Sequence, residues 1–172
     1  MIEESNRRSK VNKFKDKLLE LKACSEPVEW VGERTLPEAW RDCERADWML
    51  WYLWKINYDR KQIVLAACAC ARTVLKYVPP SELRPLRAIE SAEAWTKDEA
   101  SLEQVTTAVY AAHAAGYASY AGSAVYAASA GSDAVSVAFM VSAASGARIQ
   151  SLKEMADIVR SIIPEVGNKG VK

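Results

Sequence analysis

The sequence predicts an all-α protein, a single-domain helical bundle of about seven helices with an alanine-rich central helical hairpin. Three observations support this prediction. Apolar residues recur at helical spacing in successive segments, N-terminal capping patterns precede several of these segments, and no segment alternates like a strand between hairpin turns. The chain has 172 residues, 50% of them hydrophobic. This length suits one domain with a substantial core.

The first predicted helix, at about residues 7–23, is charged and amphipathic. Val11, Phe14, Leu18 and Leu21 fall on one helical face, and Lys and Arg cover most of the remainder. We interpret the charged side as a solvated helix face. A basic helix on a membrane surface is the alternative, but its apolar stripe would be narrow.

The next segment, residues 25–34, contains a proline and a glycine and is predicted to be a connector. Thr35 and Glu38 then match a capping box, in which Pro37 is tolerated in the first turn. The helix that follows is predicted to continue to about Asn57.

Three further helices begin at recognisable N-terminal signals, which are two caps and one first-turn proline. Asp59 is the predicted N-cap of a helix that is apolar nearly all round, so we place this helix at the centre of the bundle and end it before Pro79. Pro85 fits the first turn of a helix that reaches about Trp95. Ser101 and Gln104 form another capping box.

The segment Val105–Ala147 is dominated by small residues: 16 of its 43 residues are alanine, and its only charged side chain is Asp133. Alanine favours helix and allows close packing. A single helix of this length would span about 65 Å, which is too long for the domain. We therefore predict two helices, with a break near Gly122 or at 131–133.

The last predicted helix is capped at Ser151 and ends before Pro164. The predicted organisation is an N-terminal amphipathic helix and connector at 1–34, an all-α domain at 35–166 and a frayed tail at 167–172.

Charge and cysteine content narrow the class of protein. The formal net charge of +1 argues against direct nucleic-acid binding. The N-terminus lacks a signal peptide, so we expect a cytoplasmic protein whose four cysteines are reduced. We expect no membrane span, because the alanine-rich segment is poor in Leu, Ile and Phe and contains Asp133.

The sequence predicts no catalytic, metal or cofactor site. His113 is the only histidine, and no CxxC pair occurs. Cys68 and Cys70 lie about 200° apart around a helix, so they cannot hold one ion together. They are interpreted as small core residues.

Two polar and aromatic sets leave alternatives open. Arginines and aspartates that flank apolar helices either form buried salt bridges or line a groove: Arg41, Asp42, Asp47, Arg72, Arg84 and Arg87. Trp51 and Trp54 are predicted core residues. For Trp40 and Trp48, both a core position and a place in a binding surface stay open. Because Trp and Arg are enriched at binding hot spots, the predicted partner-binding residues are Trp40, Trp48, Arg84 and Arg87.

Three segments within residues 39–104 carry a family resemblance: AWRDCERADWMLWYL, VLAACACARTVLKYV and RPLRAIESAEAWTKDEASLEQV, followed by the alanine-rich run. This series resembles the immunity-protein-five-like family of bacterial polymorphic toxin systems, and its most specific piece is RPLRAIESAEAW. The resemblance implies an all-α, cytoplasmic, non-enzymatic protein without a cofactor, which neutralises a cognate toxin by direct association.

Other functions remain as alternatives. One is a phage or mobile-element inhibitor of a host defence effector. Another is a helical bundle that binds a small ligand, or acts as an enzyme, through His113. The small-residue helix faces also allow a homodimer.

Overall fold

The computed structural model describes residues 13–114 and 148–167, and within these ranges every regular element is helical and no strand occurs. The predicted all-α, single-domain fold is confirmed. The predicted hairpin falls mostly on residues 115–147, so its proposed breaks lie outside the described residues. The N-terminal residues 1–12 and the tail at 168–172 also lie outside them.

The helices follow one another through short connections. In chain order they are α1 (13–20), α2 (Ser25–Val31), α3 (Leu36–Asp42), α4 (Ala46–Lys55), α5 (Arg60–Val74), a 3-10 turn (Leu75–Tyr77), α6 (Arg84–Thr96), α7 (Leu102–Ala114) and α8 (Arg148–Ile162).

Helix α5 lies at the centre of the bundle, as its apolar character predicts. It packs against α4, α6 and α8. Two cysteines of α5 face different neighbouring helices. The thiol of Cys68 faces the Ile89 carbonyl of α6, and that of Cys70 faces the Met155 carbonyl of α8. Both cysteines are fully buried. Small side chains on α5 therefore allow close helix contacts on opposite sides.

The N-terminal helices belong to the same core. Phe14 and Leu18 of α1 and Val28 and Val31 of α2 are buried in one cluster with the residues of α4, α5 and α8. The part of the apolar stripe predicted for α1 that falls on described residues, from Phe14 to Leu21, accordingly faces the core.

The predicted N-terminal caps are confirmed at three helices. Thr35 and Glu38 form both bonds of the capping box at α3. The Asp59 side chain accepts a hydrogen bond from the Gln62 backbone N–H at 2.9 Å. At α7, the Ser101 N–H donates to the Gln104 side chain and the Gln104 N–H donates to Ser101 Oγ. These bonds satisfy backbone groups that a helix start leaves unpaired.

Three predicted boundaries are wrong. Residues 25–34 are not a simple connector, because they contain α2, which tolerates Pro27 in its first turn. The helix predicted to reach Asn57 is two helices, since the chain leaves helical geometry at Cys43–Arg45. Ser151 does not cap the last helix, because it lies inside α8.

The same left-handed backbone conformation ends α1, α4 and α6. Lys22, Asn57 and Asp98 each adopt a positive φ, at 60°, 52° and 63°. The following residue in each case donates its backbone N–H to a carbonyl five positions earlier, over 2.9 Å. This left-handed termination satisfies the last helical carbonyls and reverses the chain.

Within the described ranges, none of the helices is both long and apolar enough to cross a bilayer.

Candidate protein-binding site

A small apolar pocket lies where α1, α2, α3 and α4 meet. It has a volume of about 50 Å³, and four tryptophans line it: Trp30, Trp40, Trp48 and Trp51. Phe14 and Leu18 of α1 and Ala39 of α3 contribute to the remaining wall. We call this feature the tryptophan pocket. Its walls come from four separate helices, so no single segment of sequence encodes it.

Helix α3 contributes three of the wall residues, among them Ala39 and Trp40. Its capping box, in which the Thr35 N–H donates to Glu38 Oε2 at 2.8 Å, fixes where the helix begins. Ala39 and Trp40 then point inward and are buried. The Trp40 indole N–H donates to the Ile163 carbonyl at 3.0 Å, which holds the ring against the end of α8.

The junction between α3 and α4 is held by a residue distant in sequence. Arg160 of α8 donates to the Cys43 carbonyl at 2.6 Å and to the Trp40 carbonyl at 3.1 Å. It also bonds to Asp157 at 2.6 Å. A guanidinium at the C-terminal end of a helix satisfies orphan carbonyls and complements the helix dipole. Sequence reasoning missed Arg160, because no local pattern relates it to residues more than 110 positions away.

Guanidinium groups stack on the outer tryptophans of the pocket. Arg45 lies 4.4 Å from the Trp48 ring centre, and Arg34 lies 4.8 Å from that of Trp30. The two rings meet edge to face, with centres 5.8 Å apart. The attraction between each guanidinium and its ring, and between the two rings, holds these half-buried side chains together.

Arg45 also forms the best-shielded ion pair of this region. It binds Asp47 through two hydrogen bonds of 2.9 and 2.7 Å, and Glu26 lies 3.5 Å away. The Asp47 side chain is only 10% exposed. The Asp47 hydrogen bond raises the pKa of Arg45. The pocket rim therefore combines aromatic faces with fixed charges.

The structure brings two of the four predicted partner-binding residues together. Trp40 and Trp48 both line the tryptophan pocket, where Trp40 is buried and Trp48 is half-buried. Arg84 and Arg87 instead lie exposed on α6. Trp51 and Trp54, predicted as core, are half-buried and pack against the core.

The two arginines have different surroundings. Arg84 binds Glu82, and this hydrogen bond lowers the pKa of the Glu82 carboxyl to about 2. Arg87 lines an open groove of about 670 Å³ between α6 and α7, together with Glu90 and Glu103. The groove floor is formed by small residues such as Ala94 and Ala108.

Of the two alternatives for the arginines and aspartates, buried salt bridges or a groove, the structure bears out the first only for Asp47, and most of the set forms ion pairs at the surface. Arg41 pairs with its neighbour Asp42 on the surface. Arg72 of α5 binds Glu93 of α6 through two hydrogen bonds of 2.7 Å, and this pair is partly exposed. The acidic partners lie close in sequence or on the adjacent helix, within reach of the long arginine side chains.

Groups with possible chemical reactivity are arranged as follows. Burial raises the pKa of the Cys43 thiol to about 11 and that of the Cys70 thiol to about 12, which favours the neutral form. No cluster of three or more potential metal-binding side chains occurs in the part of the chain that the structure describes. His113 belongs to α7, but its side chain lies outside the described part, so the alternative that depends on it stays a prediction.

Comparison with known proteins places the chain in a family. The family model described as "Imm-5 like putative immunity protein" matches residues 56–157, which is more than half of the chain. The match covers the packed set α5, α6 and α7 and most of α8. No curated protein and no solved structure matches the chain. On the basis of the family match, the chain belongs to the Imm-5 like immunity protein family.

Proposed function

We propose that this protein is a non-enzymatic immunity protein that neutralises a cognate toxin by binding it directly. The observation that carries the proposal is the family match over residues 56–157. Immunity by direct association needs a rigid surface that complements the toxin, and a helical bundle with a closely packed core supplies such a surface.

A half-buried aromatic side chain and exposed basic side chains support a protein partner. Trp48 is half-buried and already stacked by Arg45, so little conformational entropy is lost when a partner covers it. Trp and Arg residues at such positions supply much of the binding energy in protein interfaces.

The four predicted partner-binding residues divide by exposure. Exposure supports Trp48, Arg84 and Arg87 as residues that contact the toxin. Trp40 is only 6% exposed and its N–H is bonded within the chain, which supports a role in shaping the tryptophan pocket.

Co-expression with the toxin encoded beside the gene tests this function. The wild-type chain is expected to restore growth of cells that produce the toxin, and to form a stoichiometric complex with a catalytically inactive form of it. Failure in both assays would reject the proposal. A defence effector captured in place of a toxin would favour the alternative of a phage-type inhibitor.

A matched pair of variants adds resolution to the binding assay. Trp48→Ala is expected to weaken toxin binding at least tenfold, because it removes the half-buried aromatic group at the pocket rim. Trp54→Ala removes a half-buried tryptophan that packs on the core but does not line the pocket. It is expected to leave binding within about twofold once folding has been checked by circular dichroism.

A further inference from the structure

The loop between α3 and α4, residues 43–45, leads into the surface that carries Trp48. Arg45 ends this loop, and its carbonyl accepts a backbone hydrogen bond of 3.2 Å from the Met49 N–H in the first turn of α4. The guanidinium of Arg45 lies 4.4 Å from the Trp48 ring centre. The path of the loop therefore sets where the charged group and the indole ring stand.

Helix α8 contacts two consecutive residues of this loop. Arg160 donates to the Cys43 carbonyl at 2.6 Å, and Lys153 binds the Glu44 side chain. The pair of Lys153 and Glu44 lies on the surface, where an ion pair contributes little. The Arg160 side chain is only 21% exposed, so its bond to the loop is better shielded from water. Arg160 is therefore the stronger constraint on the loop.

A continuous series of contacts joins Arg160 to Trp48. Its first link is the bond from Arg160 to the Cys43 carbonyl. In the second link, the Cys43 thiol donates to the Arg45 carbonyl at 3.5 Å, and Cys43 is only 5% exposed. The stacking of Arg45 on Trp48 is the third link. Coupling between separate sites travels through packed side chains and hydrogen bonds that touch one another in this way.

We propose that Arg160 is a positioning residue for partner binding, which holds the loop so that Arg45 and Trp48 are placed to meet the protein partner. The inference rests on the proposed function and adds a residue that acts through others. Trp48 lies before the segment matched by the family model, and Arg160 lies after it. The coupling thus links the two segments that flank the matched helices.

The arrangement around Arg160 requires a guanidinium. One of its terminal nitrogens donates to the carbonyls of both Trp40 and Cys43, and the other donates to Asp157 at 2.6 Å. A lysine carries its charge on a single nitrogen and cannot reproduce this fork. Arg160→Lys should therefore keep the charge and the fold but loosen the loop, which gives a milder variant than Arg160→Ala.

Binding to the catalytically inactive toxin, measured by calorimetry at a temperature where every variant is folded, tests the role of Arg160. Arg160→Ala is expected to weaken binding about tenfold, and Arg160→Lys less, as residues within a coupled network do. The control is Ala92→Leu, which disturbs the core at a fully buried position of α6 and should change binding less than about twofold. An equal loss of affinity in Ala92→Leu and Arg160→Ala would overturn the inference, because destabilisation alone would then explain it.

A double-mutant cycle shows whether Arg160 acts through Trp48. If it does, Arg160→Ala should cause little further loss of affinity in a chain that already carries Trp48→Ala. The same loss in both backgrounds would mean that the two residues contribute independently. That result would also overturn the inference.

Fluorine NMR of the full chain labelled with 5-fluorotryptophan tests the coupling without the toxin. The signal that disappears in Trp48→Phe belongs to Trp48. Arg160→Lys is expected to shift this signal and to leave that of Trp95 on α6 unchanged. An unchanged Trp48 signal would overturn the inference even if the protein protects against the toxin. A selective shift would support the coupling even if the toxin assay fails, so the two proposals can fail separately.

Discussion

The guanidinium of Arg160 donates a hydrogen bond of 2.6 Å to the backbone carbonyl of Cys43, and so completes the end of a helix that lies 117 residues earlier. This contact allows the chain to turn between α3 and α4 without leaving the carbonyl of Cys43 unpaired.

Arg160→Ala should lower the free energy of unfolding by about 1–3 kcal/mol, which is typical when a buried hydrogen-bonding group loses its partner. Urea denaturation monitored by circular dichroism would measure the change. Lys153→Ala is the control, because Lys153 also lies on α8 but pairs with Glu44 on the surface. A loss no larger than that of the control would contradict the role assigned to Arg160.

Trp40→Phe should destabilise the protein by about 1–3 kcal/mol as well, because it leaves the Ile163 carbonyl without its donor. The phenyl ring also fills less of the wall than the indole. Thermal unfolding of this variant should be compared with that of Trp54→Phe, which changes a half-buried tryptophan. If both substitutions cost the same, the bond to Ile163 contributes little.

Ala92→Leu should lower stability by about 1–3 kcal/mol through overpacking. Ala92 of α6 is fully buried, so three extra carbon atoms must displace neighbouring helices. Ala111→Leu on the exposed face of α7 is the matched control and should be nearly neutral. A neutral Ala92→Leu would show that the helices can move apart more easily than their packing indicates.

The four cysteines should react in two classes. Cys24 is exposed, whereas Cys43, Cys68 and Cys70 are buried. Burial raises the pKa of all three buried thiols and so disfavours the reactive thiolate. A thiol reagent at pH 8 should modify one equivalent rapidly and three more only in denaturant. Removal of the fast phase by Cys24→Ser would assign it, and rapid reaction of a second thiol would refute the burial of the other three.

The free energy of unfolding should fall as the pH rises above about 9. In the folded chain the pKa of Cys43 is raised to about 11, while an unfolded thiol ionises near 9. A raised pKa stabilises the folded state fully below pH 9, and this contribution is lost as pH rises from about 9 to 11. Urea midpoints measured from pH 8 to 11 should decline, and Cys43→Ala should reduce the decline. A flat profile over this range would contradict the prediction.

The local parts of the fold were predictable from the sequence, because their causes are local. Thr35, Asp59 and Ser101 each cap a helix through a residue three positions later, and this spacing is visible in the sequence. The central position of α5 likewise follows from its own composition.

The boundaries that the sequence did not reveal depend on distant contacts. Helix α2 forms because Val28 and Val31 are buried against the core, although Pro27 and Gly32 made the segment resemble a connector. At the break after Asp42, the carbonyls of Trp40 and Cys43 accept hydrogen bonds from the distant Arg160. The tryptophan pocket requires four helices to meet, so the sequence identified Trp40 and Trp48 as candidates but not the cavity that joins them.

The bond from Trp40 to Ile163 joins two residues that both lie outside the matched segment 56–157. A fragment limited to that segment would lack this bond and further core contacts. Leu50 and Leu53 of α4, a helix that packs on α5 and α8, are completely buried, and both residues precede the match. A fragment trimmed to residues 56–157 would lose these side chains and end five residues before Ile162, the last residue of α8. It would expose an apolar surface to water and tend to aggregate. The segment that must fold together is therefore longer than the segment that the family model matches.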